Sequence, residues 1–200
     1  MEGDLNILER IKAINNGTVR WDANKLIFET GDIQIPLASA ASSVKELAPL
    51  ALFIEKYSLS DSSILFEEPE SHLHPAKQVQ VSDLMVAMIN CGAHFQITTH
   101  SDYILGRIND AIKLYKLKEA DDEKYNKFIK EKGYSKDLLL NPESVGSCYF
   151  YKNEDGTVSV REQSLENGIP YDSFYDVIRN ETMNSMNLDQ LLKGEGGNDF

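Results

Sequence analysis

Two hundred residues, 42% of them apolar, allow one sizeable domain with a buried core. A formal net charge of −12 argues against an extended nucleic-acid surface on this chain by itself. Two cysteines, Cys91 and Cys148, make neither a disulfide framework nor a CxxC pair, no apolar run is long enough to cross a bilayer, and the N-terminus has no signal-peptide pattern. The expectation is a soluble, cytoplasmic protein that makes no membrane contact.

Met1 to Asn15 reads as a short helix, with Leu5, Leu8, Ile11 and Ile14 near helical spacing and Asn16-Gly17 as its stop. Thr18–Trp21, Lys25–Glu29 and Ile33–Leu37 alternate with tight polar turns and predict an antiparallel meander without chemistry of its own. Ala38 to Tyr57 reads as a helix opened by a capping box, Ser43 to Glu46, with Val44, Leu47, Leu50, Ala51 and Ile54 on its apolar side. Pro49 inside it is expected to bend it or to mark a later start. A helix start carrying Ser42 and Ser43 suits a phosphate, and equally suits an ordinary capped helix.

The next stretch is the informative one. Ile64, Leu65 and Phe66 predict a buried strand that stops at Glu67-Glu68-Pro69. Parallel α/β sheets bind ligands beyond the C-terminal ends of their strands. Two acids there suit phosphoryl transfer, which needs one acid to hold Mg²⁺ and a polar group to orient the nucleophile. The plainer reading is a strand end spilling charge into solvent. Pro75 to Asn90 reads as a helix with proline in its first turn and Gly92 as its stop. About thirty residues after the acids, a βαβ-like spacing, His94 to Thr99 predicts a neighbouring strand ending at His100. That histidine could reach a phosphate or be merely structural; beside Glu67 and Glu68 the functional reading gains weight. His72, His74, His94 and His100 raise the question of zinc, but no cysteine or acid spacing resembles a zinc site.

Ser101 is expected to cap a helix through Ile108, and Ile112–Leu117 reads as a third strand of the parallel sheet. Ala120 to Lys132 is a charged helix with a stripe of Tyr125, Phe128 and Ile129, either a solvated face or a contact arm. Val145–Lys152 and Thr157–Gln163 flank Asn153-Glu154-Asp155-Gly156, a β-hairpin signal. Ile169 to Arg179 reads as a last helix, and the polar, glycine-rich chain after Met186 as a frayed tail.

Glu67-Glu68-Pro69-Glu70-Ser71-His72-Leu73-His74-Pro75 followed by Thr98-Thr99-His100-Ser101 resembles the ABC-type ATPases, within them the SMC, RecF and overcoming-lysogenization-defect group of the wider AAA class. The resemblance covers roughly Ile14 to Arg179. It implies ATP and Mg²⁺ as cofactors, Glu67 as the Walker B magnesium ligand, Glu68 as catalytic base, Ser71 to His74 as D-loop and His100 as switch histidine. Glu67 stands where the general pattern has Asp. The resemblance also places the signature motif at Ala41 to Glu46, where Ser42 and Ser43 would contact nucleotide held by a partner subunit; Val44 replaces the usual glycine.

No Gly-x-x-x-x-Gly-Lys-Ser/Thr occurs in these residues, so the backbone cradle for the phosphates is missing from them. The expectation is a C-terminal lobe of such an ATPase head, with residues 1–40 as lead-in, 41–117 as motif-bearing core, 118–185 as charged helix, hairpin and final helix, and 186–200 as tail. A mainly parallel sheet flanked by helices, with antiparallel strands at its edges, is its expected architecture. Its expected partners are a Walker A half, from the same gene or another chain, and a second head in a homodimer, with nucleic acid reached only through other parts. Either the chain is half of an ATPase, or it is a non-catalytic pseudo-ATPase module that serves as a docking partner.

Overall fold

The computed structural model describes residues 2–170 and 172–194. The chain divides between Gly146 and Ser147 into two units. The first holds α1 (Glu2–Asn15), β1 (Thr18–Asp22), β2 (Lys25–Thr30), β3 (Ile33–Pro36), α2 (Ser42–Ile54), β4 (Ser63–Glu67), α3 (Pro75–Asn90), β5 (His94–Thr98), α4 (Asp102–Ala120) and α5 (Asp122–Lys132). In the second are β6 (Cys148–Lys152), β7 (Val158–Glu162) and α6 (Asp172–Gly194).

The expected meander forms to within a residue or two: β1, β2 and β3 pair antiparallel, with Val19 opposite Phe28 and Phe28 opposite Ile35. Ala23 and Asn24, the two residues between β1 and β2, both take positive φ (42° and 66°), the mirror-image turn whose twist matches the paired strands. Gly17 admits no larger residue, because a Cβ there would lie 2.6 Å from the Phe28 ring and 2.4 Å from the Glu29 carbonyl. Val19 and Phe28 pack with Ala40, Val44 and Ala48, which seats α2 on this small sheet.

The start of α2 departs from expectation. Ala41, not Ser43, is the N-cap, and no side chain caps the helix. Val44 and Lys45 donate their backbone N–H groups to the Ala41 carbonyl, so Ser43 already lies inside the first turn and the Ser43–Glu46 box cannot form. The helix continues through Pro49 to Ile54. Pro49 and Lys45 are both exposed, so water can serve the Lys45 carbonyl that the proline cannot.

Strands β4 and β5 pair parallel, Ser63 opposite His94 through Glu67 opposite Thr98. A βαβ crossover through α3 connects them, as the spacing predicted. The sheet has only these two strands among the described residues. Ile112–Leu117, expected as a third, lies inside the 19-residue α4. Helix wins because Ile104, Ile108, Ala111 and Ile112 recur at 3.6-residue spacing and are all buried, whereas a strand would need alternation. The sheet is also less buried than expected: Ile64, Phe66, Phe95 and Ile97 are half-buried, while Leu65 on the other face is 63% exposed. Parallel strands are ordinarily covered on both faces; here one face is open.

Helices α1, α3 and α4 supply the main core, with Ile7, Leu84, Met88, Ile104 and Ile112 almost fully buried. Arg107 of α4 locks onto α3, giving Asp83 two hydrogen bonds of 2.6 and 2.9 Å while its guanidinium lies 4.3 Å from the Tyr134 ring centre. Burial works against the Arg107 charge, but the hydrogen bonds and charge of Asp83 outweigh it and raise the pKa above its ordinary value. Asp83→Ala is therefore expected to destabilise the fold by about 1.5–3 kcal/mol, the scale of hydrogen bonds to a charged group, measured as a lower urea midpoint. A change within about 0.5 kcal/mol, as for a surface residue, would show that the pair does not hold the helices together.

Helix α5 buries Tyr125 and Ile129 and leaves Phe128 at its margin, so its charged face is solvated and its stripe packs on α4. In the second unit, the expected hairpin forms with Cys148 opposite Glu162 and Phe150 opposite Val160. Helix α6 begins at Asp172 rather than Ile169 and runs past Arg179 to Gly194, through most of the stretch read as tail. Residues 195–200 of that expected tail lie outside the described residues. Among the described residues, no helix is long and apolar enough to cross a membrane.

Candidate functional site at the ends of the parallel strands

The sheet register places Glu67 beside Thr98, so the two strands end together. Glu68 extends the ladder by one bond, its N–H donating to the Thr98 carbonyl at 2.8 Å. There the chain reverses. Glu68 takes φ +45°, a left-handed conformation uncommon for a residue with a Cβ. Its carbonyl accepts the Ser71 N–H at 2.9 Å across a turn with Pro69 at the second position, where proline's fixed φ suits such turns. Ser71 Oγ also lies 3.3 Å from Glu68 Oε2. Strained backbone of this kind costs about 1–3 kcal/mol and tends to sit at functional positions.

Opposite this turn, Thr99 and His100 leave β5 and lead into α4, whose N-cap Ser101 accepts the Ile104 N–H at 3.1 Å. Glu70 joins the two loops. One of its oxygens accepts the His100 N–H at 2.6 Å and the other the Thr99 hydroxyl at 2.8 Å. Gln78 makes a second tie, donating to the Leu73 carbonyl at 2.9 Å and accepting the Ser101 hydroxyl at 2.6 Å. Neither Glu70 nor Gln78 stood out in the sequence. The third acid of Glu-Glu-Pro-Glu was the available sign for Glu70, because it follows the turn that aims it back at the neighbouring strand.

Glu67, Glu68 and His100 are all exposed on this surface. Their common location is the strand ends, as the sequence predicted. Ser42 and Ser43 do not join them: they open α2, which packs on α1, β1 and the turn after β3. The expected D-loop residues Ser71 to His74 form the bend between Glu68 and α3, where His74 Nδ1 accepts the Ala76 N–H at 3.3 Å. Among the described residues, no three His, Cys, Asp or Glu side chains converge to hold a metal ion. Magnesium does not require such a cage, since it commonly takes one or two carboxylates and completes its shell with phosphates and water. Glu67 supplies a hard carboxylate of that kind. A cleft of about 480 Å³ lined by Glu9, Lys12, Asn16, Thr30 and their neighbours contains none of these residues. The acids and His100 sit on an open surface instead.

The sequence model of an AAA ATPase domain matches residues 2–105, slightly more than half of the chain. This chain belongs to the AAA ATPase domain family. The matched stretch ends early in α4 and includes α2, both acids, Glu70 and His100. Among solved structures, the chain is similar to one from work on "ATP-driven dimerization and DNA stimulated activation of SMC ATPases", with a TM-score of 0.50, 16% identity, and 88% of this chain and 91% of that chain covered. That likeness establishes the fold as the mixed α/β type of an SMC ATPase head. No curated protein matches. The family and the fold thus agree with the resemblance read from the Glu67–Pro75 and Thr98–Ser101 motifs.

Proposed function

We propose that this chain is the Walker B-bearing half of an ATP-hydrolysing head, acting in the cytoplasm with a second polypeptide segment that carries the phosphate-binding loop. The observation that carries the reading is the placement of Glu67, Glu68 and His100 at the paired ends of β4 and β5, on a parallel sheet with one face open. An open parallel sheet calls for a further layer or strand. The lack of a glycine-rich phosphate loop in the 200 residues points to what that segment would bring.

Bound Mg-ATP would bring the electrophilic phosphoryl group and a cation that neutralises charge on its oxygens. Glu67 would hold the magnesium ion, as its strand-end carboxylate suits. Glu68 would accept a hydrogen bond from the attacking water and then its proton. Ser71 engages one Glu68 oxygen, and the other would face that water. His100 would donate an imidazole N–H to the terminal phosphate. Ser42 and Ser43, on a different part of the unit, would close the site of a partner head rather than their own. The similar SMC ATPase is described as dimerising with ATP and as activated by DNA; we extend the first property to the assembled head. DNA would be reached through other parts of the complex, because the net charge of −12 opposes it here.

A second reading is a pseudo-ATPase module that keeps the fold and docks in an assembly, favoured by the same missing loop. Phosphate release by this chain alone, with Mg-ATP, tests the half-site reading. Background rates are expected, since positioning and charge neutralisation supply most of this catalysis. Turnover that Glu68→Gln abolishes would show a complete site and overturn the half-site assignment. The pseudo-ATPase reading gains if a partner bearing the phosphate loop joins the chain and still gives no turnover.

A further inference from the structure

The clamp between the two site loops has a role that neither the family match nor the motifs assign. We propose that Glu70 is a positioning residue: its carboxylate sets the backbone at Thr99 and His100 and thereby aims the His100 imidazole at the nucleotide. The inference rests on the proposed function of His100. His100 is exposed and lies two residues past the end of β5, so little packing fixes its direction. The two carboxylate oxygens of Glu70 are shared between consecutive residues, the Thr99 hydroxyl at 2.8 Å and the His100 N–H at 2.6 Å. Charge-assisted bonds of this type are among the stronger ones available. Thr99 passes the restraint on, because its Oγ1 accepts the Ser101 N–H at 3.0 Å, and Ser101 caps α4.

Glu70 itself starts from fixed ground. It lies in the turn between Glu68 and Ser71, and its carbonyl accepts the Leu73 N–H at 3.0 Å. Pro69 beside it is buried. The base candidate Glu68 and the histidine are therefore held in one frame, so a shift of either loop moves both. A carboxylate suits this position, since it offers two acceptors and no donor to two donating groups. Glutamine keeps one acceptor and points an NH₂ at the other donor, and aspartate is one methylene too short to reach both.

The test is amide and imidazole NMR on this chain and on Glu70→Gln, with Glu70→Asp as a second variant. In the unmodified chain, the His100 amide proton is expected to resonate downfield and to exchange slowly. In Glu70→Gln, the His100 amide signal moves upfield and exchange accelerates at least about ten-fold, the scale of one hydrogen bond to a charged group. Added Mg-ATP is expected to shift the His100 imidazole signals, and either variant to need roughly ten-fold more of it for the same shift. A His100 amide shift and exchange rate unchanged in Glu70→Gln would overturn the contact. Equal imidazole responses in chain and variant would reduce Glu70 to a structural clamp and overturn its positioning role. If the unmodified imidazole ignores Mg-ATP that does shift the Glu67 and Glu68 amides, the function assigned to His100 fails, and positioning fails with it.

Discussion

Glu68→Gln is expected to lower ATP hydrolysis by the assembled ATPase about 10²–10⁴-fold, the contribution of a positioned general base, while leaving nucleotide binding in place. The amide keeps the shape of the side chain and its place in the turn, but it cannot take a proton from water at neutral pH. The strand contact of Glu68 runs through its backbone N–H to Thr98, so the exchange leaves β4–β5 pairing intact. Heads arrested before hydrolysis would remain paired around ATP, and the variant should accumulate as an ATP-bound dimer by light scattering. A variant that hydrolyses at the unmodified rate would remove Glu68 from the proposed mechanism and leave its left-handed φ without a catalytic explanation.

Ile112→Ala is expected to destabilise the first unit by about 2–5 kcal/mol, the cost of deleting a buried aliphatic side chain and leaving a cavity. Ile112 is 1% exposed on α4, with Ile104, Ile108 and Ala111 on the same buried stripe. Urea unfolding should show a lower midpoint with an unchanged slope, because the loss is of packing and not of compactness. The neighbouring exchange Lys113→Ala, on the exposed side of the same turn, should stay within about 0.5 kcal/mol. Equal effects at both positions would contradict the helical face assigned to this stretch.

That stretch also shows where the sequence was legible and where it was not. The meander, the α3 crossover and the β6–β7 hairpin were readable because turn residues such as Ala23-Asn24, His74-Pro75 and Asp155-Gly156 sit at the breaks. Before Ile112–Leu117, Asn109-Asp110 read as such punctuation, yet both lie inside α4 and Asn109 is buried there. A short apolar run looks alike in strand and helix, and only its continuity with Ile104 and Ile108 decides between them. The α2 start failed for a related reason: Ser-x-x-Glu fits a capping box by spacing, but the helix had already begun at Ser42. At the site, the acids and His100 were visible because strand ends and charge coincide. Glu70 and Gln78 were not, since a side chain that binds across loops 23 to 30 residues away leaves no local pattern. The open face of β4–β5 was equally hidden, because Ile64, Leu65 and Phe66 read alike whether or not something covers Leu65.

The most direct test of the account is paramagnetic broadening of backbone amides by Mn-ATP, added in small amounts to this chain and to Glu67→Ala. Weak binding suffices, because broadening reports brief visits close to the ion. The account predicts early loss of signal at Glu67, Glu68, Thr99 and His100, and recovery of those signals in Glu67→Ala. Broadening that is spread over the acidic surface, or that is unchanged by Glu67→Ala, would contradict the placement of a nucleotide half-site at the ends of β4 and β5.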